Sequence, residues 1–194
     1  GLFSQLGNAE IRNLYLEIPY RVDGNNSVGS LAGYANSSRF ENISAKINLF
    51  SNSSQVGGLI GNANSNNIII NCRTEGEITA GGNFVGGLVG QFLNNNSVRH
   101  SYSTVNLISH TSNTGGLIGQ VGDNNIIEMS YATGGMKGSS SIGGLIGEML
   151  SSNTVSSSYA TGAVQGGSNH GGLIGNIKND NTVSFSYASG VVSS

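Results

Sequence analysis

The sequence predicts an all-β fold: a single-domain, parallel β-helix-like β-solenoid of about seven rungs of 28–29 residues. Three observations carry this reading. A Gly-Gly-Leu-Ile-Gly unit returns at near-constant spacing, a second segment of each copy alternates in polarity, and no segment sustains a helical period.

The repeat comes first. Its leading leucines are Leu2, Leu31, Leu59, Leu88, Leu117, Leu145 and Leu173, at spacings of 29, 28, 29, 29, 28 and 28. A second apolar column follows in Phe3, Ala32, Ile60, Val89, Ile118, Ile146 and Ile174, and Gly33, Gly61, Gly90, Gly119, Gly147 and Gly175 close the unit. Glycine pairs open it at 57–58, 86–87, 115–116, 143–144 and 171–172. The first two copies are degenerate, with Gly29-Ser30 in one and Ser4 for the closing glycine in the other. Rungs therefore start near residues 1, 28, 56, 85, 114, 142 and 171, and one repeat domain fills 1–194.

The second half of each copy reads as a strand. One parity is apolar or small: Leu14-Leu16-Ile18-Tyr20, Ile43-Ala45-Ile47-Leu49, Cys72-Thr74-Gly76-Ile78 and Ser158-Ala160-Gly162-Val164. The other is polar: Tyr15-Glu17-Pro19, Ser44-Lys46-Asn48 and Arg73-Glu75-Glu77. A period of two with one apolar side is a half-buried strand. Such a unit cannot bury its inner face alone. Stacking copies at roughly 4.8 Å shares the core between neighbours and gives a rod roughly 30 Å long. A seven-bladed propeller needs about 40–45 residues per blade, more than each copy has. Two further expectations follow. The glycine pairs mark a tight corner or a close backbone approach, and the shrinking inner residues predict that the section narrows or another strand moves in.

Composition excludes several functions. Net charge is −2 with pI near 5.9, and the 8 basic residues are scattered, so no footprint for nucleic acid exists. No apolar run is long enough for membrane insertion as a helix. One cysteine, Cys72, forms no intramolecular disulfide framework. His100, His110 and His170 lack metal-binding spacing and read as surface or turn histidines. Glu75 and Glu77 form a same-face pair that Arg73 partly neutralises, better suited to deterring edge pairing than to catalysis. Asp123-Asn124-Asn125 and Asn179-Asp180-Asn181 carry oxygens that suit calcium, but these residues are expected in turns without any ion. No catalytic residue, cofactor or metal is assigned, and no enzyme activity is expected.

The recurring Val-Gly-Gly-Leu-Ile-Gly followed by Ser-Tyr-Ala-Thr-Gly resembles the GLUG-motif repeat of bacterial extracellular proteins. The residues that carry the likeness are 56–61, 85–90, 142–147 with 158–162, and 171–175 with 186–190. That repeat occurs in surface adhesins, filamentous-haemagglutinin-like exoproteins and the accessory region of IgA-cleaving metallopeptidases. The resemblance implies a secreted or cell-surface location and a structural role, and it transfers no catalytic residue.

One outward column invites a contact role. Tyr102, Tyr131, Tyr159 and Tyr187 share a site on four consecutive rungs, with Thr104, Thr133, Thr161 and Ser189 two residues on. A ladder of this kind stabilises stacked strands and equally offers an amphipathic strip to a glycan or host surface protein. Asn-x-Ser/Thr sequons at Asn25, Asn36, Asn42, Asn52 and Asn95 are expected by chance in so Asn/Ser-rich a chain. The sequence opens at Gly1 and stops in mid-repeat at Val191-Val192-Ser193-Ser194. It is read as a mature product or a segment of a longer solenoid, with uncapped ends suited to head-to-tail self-association into a filament.

Overall fold

From the second copy onward, each rung passes through three parallel sheets in the same order. The computed structural model describes residues 1–18, 22 and 26–194. The expectations for Pro19 and Tyr20 in the first strand, and for the sequon at Asn25, lie outside the described residues. One face has seven strands: Phe3–Gly7, Ala32–Asn36, Ile60–Ser65, Val89–Asn94, Ile118–Val121, Ile146–Met149 and Ile174–Ile177. A second, shorter face has six: Ser27–Val28, Gln55–Gly57, Phe84–Gly86, Ser112–Gly115, Ser140–Gly143 and Ser168–Gly171. All strand pairs are parallel, each strand lying against its counterpart one repeat away; Ile60, Val89, Ile118, Ile146 and Ile174, for instance, stand in register. The chain is an all-β solenoid of about six turns, since the first copy has no strand on the short face among the described residues.

The third face changes along the rod. It begins as the long strands Glu10–Ile18 and Arg39–Ser51, divides into Ile68–Ile70 and Arg73–Ala80, and thereafter has three short strands per rung. The division falls at a kink present in all seven copies. Asn13, Asn42, Asn71, His100, Met129, Ser157 and Phe185 there have φ between 48° and 57°. Left-handed backbone suits asparagine and disfavours bulky L-residues. Asparagine holds this position in the rungs whose strand runs on or breaks once, and other residues hold it where the strand is shortest.

The glycine pairs build the corner between the short face and the seven-stranded face. A Cβ on Gly57 would lie 2.0 Å from the carbonyl oxygen of Ile60, and one on Gly86 would lie 1.9 Å from that of Val89. Backbone therefore meets backbone at this corner, which only glycine permits. Leu31, Leu59, Leu88, Leu117 and Leu145 at the corner are fully buried, and one continuous hydrophobic cluster runs the length of the stack.

The section narrows as the inner residues shrink. The second glycine of each pair faces the third sheet across the core. A Cβ on Gly58 would sit 3.0 Å from the Cδ1 of Ile47. At Gly116 and Gly144 the nearest opposing side-chain atom is the Cβ of Ala132 or Ala160, at 2.8 Å in both cases. The wall itself has replaced the tip of a long side chain. In the transitional rung, the buried Thr74 hydroxyl donates to the Gly87 carbonyl at 2.7 Å, so the corner is bonded to the wall directly.

Candidate functional site

Several ladders of side chains run parallel to the rod. The first is buried and was missed by reading asparagine as turn composition. Asn67, Asn96, Asn125, Asn153 and Asn181 stack at the corner between the seven-stranded face and the third face. Each backbone N–H donates to the Oδ1 of the next asparagine, at 2.8 Å from Asn67 and 2.9 Å from Asn96. Each Nδ2 donates to that same Oδ1, while other Nδ2 bonds reach carbonyls of the preceding rung. The residue before each rung's ladder asparagine is left-handed, from Asn66 (55°) to Asp180 (54°), which turns the chain by one corner. Spacing alone would have revealed this column, since it repeats at 29, 29, 28 and 28. Three of the oxygen-bearing side chains considered for calcium are already engaged in the chain's own hydrogen bonds. Asn125 accepts from Asn96 and Asn181 accepts from Asn153, while Asp123 accepts from the Ser151 N–H at 3.1 Å.

A serine ladder does the same at the kink of the third face. The N–H groups of Cys72, Ser101, Ser130 and Ser158 donate to the hydroxyls of Ser101, Ser130, Ser158 and Ser186, at 3.0 to 3.2 Å. Cys72 occupies the serine position in its rung. Burial pushes its thiol up to about 12, so it stays a thiol at neutral pH and is chemically inert.

A row of carboxamides lines the outside of the glycine corner. Gln91 donates to Gln120 at 2.8 Å, and Gln120 donates to the carboxylate of Glu148 at 2.8 Å. Asn113 and Asn176 also donate to Glu148, and the Lys178 ammonium lies 3.0 Å from it. Burial raises the Glu148 pKa, but the hydrogen bonds from Gln120, Lys178 and Asn176 and the charge of Lys178 outweigh it, holding the carboxyl below its ordinary value. All these groups are spent on one another, so the row holds two faces together across the corner.

The tyrosine ladder lies on the outer surface, half-buried at Tyr102, Tyr131 and Tyr159 and exposed at Tyr187. Tyr102, Tyr131, Tyr159 and Tyr187 stack with near-parallel rings, their centroids 4.7, 4.7 and 5.1 Å apart. The spacing is that of the strands themselves. Burial, then the flanking phenols of Tyr102 and Tyr159, raise the Tyr131 pKa, so this ring is neutral at physiological pH. Thr104, Thr133 and Thr161 are exposed beside it. Among the described residues, no hydroxyl of these tyrosines or threonines forms a hydrogen bond within the chain. Unlike the other ladders, this one has unused polar groups.

The remaining candidates separate. His100 and His110 are exposed, but His170 is a half-buried strand residue and not a turn residue: it stands in register with Ile142 in a core-facing column of the short face, and its Nδ1 is buried without a partner among the described residues. Arg73 does not neutralise Glu75 or Glu77. Its Nε donates to the Ser44 hydroxyl at 2.9 Å, one rung back, and neither glutamate is ion-paired among the described residues. In parallel register, side chains across the ladder are nearer than those two residues along the strand. Among the described residues, no group of three His, Cys, Asp or Glu side chains is placed to hold a metal. Among the described residues, no helix is long and apolar enough to cross a membrane.

These features define a three-faced parallel β-solenoid with one aromatic ladder on its outer surface. By fold it is similar to a solved structure described as IgA1 Protease, with a TM-score of 0.53 and 16% sequence identity over 89% of this chain. The chain spans 16% of the length of that protein, and at this identity the likeness is one of fold. No protein-family model and no curated protein matches the sequence.

Proposed function

We propose that the chain is a non-enzymatic structural segment, a stalk or spacer, of a secreted or cell-surface protein. The single observation that carries this is the commitment of many of its polar side chains to ladders that bond successive rungs along the rod. Asparagine, serine and glutamine–glutamate columns all bond rung to rung, the pattern of a scaffold. The fold likeness to part of an IgA1 protease supports an extracellular setting, as does the resemblance of its repeats to the GLUG motif. Antibodies raised against the chain are expected to label intact cells or culture supernatant, and electron microscopy to show uniform rods. Signal found only after cell lysis would refute the location.

A second reading rests on the tyrosine ladder. It treats Tyr102, Tyr131, Tyr159 and Tyr187, with Thr104, Thr133 and Thr161, as a contact strip for a glycan or a host surface protein. The rings give a flat apolar surface and the threonine hydroxyls are free to bond. Tyr131→Ala combined with Tyr159→Ala is expected to abolish retention on a glycan array. The paired Tyr→Phe variant, which keeps the stack, controls for folding; undiminished retention by the alanine variant rejects this reading. The last rung also presents Val183, Tyr187 and Val192 on unpaired strand edges, a template on which further rungs, in cis or from a second copy, can add. Sedimentation that is independent of concentration would argue against assembly from copies.

A further inference from the structure

The tyrosine column does not continue unchanged toward the first rungs. In the rung before Tyr102 its place is taken by Arg73, and in the rung before that by Ser44. Arg73 leans back onto Ser44 through its Nε, at 2.9 Å, so the guanidinium is anchored at one nitrogen. Its two terminal nitrogens have no partner among the described residues. Beside it runs a short exposed asparagine ladder, in which Asn42 donates to Asn13 at 3.0 Å and Asn71 donates to Asn42 at 2.7 Å. The ladder stops at Asn71, because the next residue in the column is His100. Among the described residues, the Oδ1 of Asn71 accepts no hydrogen bond. Between these groups lies a recess of about 350 Å³, lined by Asn13, Asn42, Asn71, Ser44, Arg73 and Tyr102.

We infer that this recess binds a carboxylate-bearing sugar residue, with the rest of the glycan running along the tyrosine ladder. The inference rests on the contact-strip reading and gives it a ligand class. Each lining group has a counterpart in such a sugar. The planar fork of Arg73 matches a carboxylate. Serine and asparagine side chains offer both donors and acceptors to ring hydroxyls. Tyr102 is the end member of the stack, covered by Tyr131 on one side and bordering the recess on the other. The volume falls in the range of small-ligand sites, about 300–1,000 Å³. Charge narrows the class further. Glu75 and Glu77 are exposed on the same strand, two and four residues beyond Arg73, and neither lines the recess. One carboxylate next to Arg73 is therefore accommodated, whereas a densely sulfated chain would meet both glutamates.

The test uses the full chain and four probes followed by NMR titration: the methyl glycosides of glucuronic acid, N-acetylneuraminic acid and glucose, and an acidic peptide without sugar. Binding of either acidic glycoside at least tenfold tighter than methyl glucoside is expected, and the two acids distinguish a uronic from a sialic source. Arg73→Gln should erase that preference without changing the melting temperature, since the side chain is exposed. Equal binding of acidic and neutral glycosides, equal binding of the peptide, or an unchanged preference in Arg73→Gln would each overturn the inference. Loss of glycan-array retention in the Tyr131/Tyr159 alanine variant, together with unchanged preference in Arg73→Gln, would leave the strip standing and remove the recess. Absence of binding by any glycan would remove both.

Discussion

Gly115→Ala is expected to lower the unfolding midpoint in urea by the equivalent of about 3 kcal/mol or more, at the upper end of what overpacking costs. The added Cβ would lie 1.9 Å from the Ile118 carbonyl oxygen and 2.7 Å from the backbone nitrogen of Gly147. All its close neighbours are backbone, so no side chain can swing aside to relieve the clash. The strands on both sides of the corner would have to separate, opening the corner over the buried Leu117. A control is built into the chain. Gly7→Ala places its methyl group where nothing lies within 4 Å, and its effect should stay within about 0.5 kcal/mol. If Gly115→Ala unfolds at the wild-type midpoint, the account of the corner is wrong.

Asn96→Ala should cost about 3–5 kcal/mol. The substitution removes the acceptor for both the N–H and the Nδ2 of Asn67, along with the Nδ2 donor to Ala63, Asn64 and Asn125. The Asn67 N–H is left without a partner and its Nδ2 keeps only the Ala35 carbonyl, beside a site 1% exposed to solvent. A buried donor deprived of its acceptor costs about 1–3 kcal/mol. The exposed ladder supplies the comparison. Asn71→Ala loses one solvent-accessible bond to Asn42 and a residue suited to its φ of 55°, a change worth about 1 kcal/mol. Hydrogen exchange gives an independent readout, because the Asn67 amide should lose protection in Asn96→Ala and keep it in Asn71→Ala. Equal effects at the two sites would contradict the ladder account. Since each rung contacts only its neighbours, either lesion should act mainly on adjacent rungs.

Much of the fold was legible in the repeat. The leucine column fixed the register, the two-residue alternation fixed which side of the third face is buried, and the glycine pairs marked the corner. The tyrosine stack was legible for the same reason, because parallel in-register strands place equivalent residues one above another. Asparagine was harder. In sequence it signals turns, and its column looked like composition even though it repeats as regularly as the leucines. Its role depends on burial, which a polar residue does not announce. His170 was misplaced for the opposite reason: its polarity suggested the surface, while its register with Ile142 set it facing the core. Arg73 was assigned to the glutamates on its own strand, and the structure gives it to Ser44 on the neighbouring rung.

By itself, then, the sequence determined that the chain is a parallel β-stack, how its rungs align, and that four tyrosines form one column. Periodicity suffices for these, because in a parallel in-register stack the interval between equivalent residues is the geometry. Only the tertiary structure decided how many faces a rung has, that its asparagines form a buried spine, and that Arg73, Tyr102 and the Asn13–Asn42–Asn71 ladder surround one recess. Those outcomes depend on where the chain turns and on what lies across the corner or one rung away. Contacts between different columns are set by packing in the cross-section, and a spacing measured along the chain does not encode them.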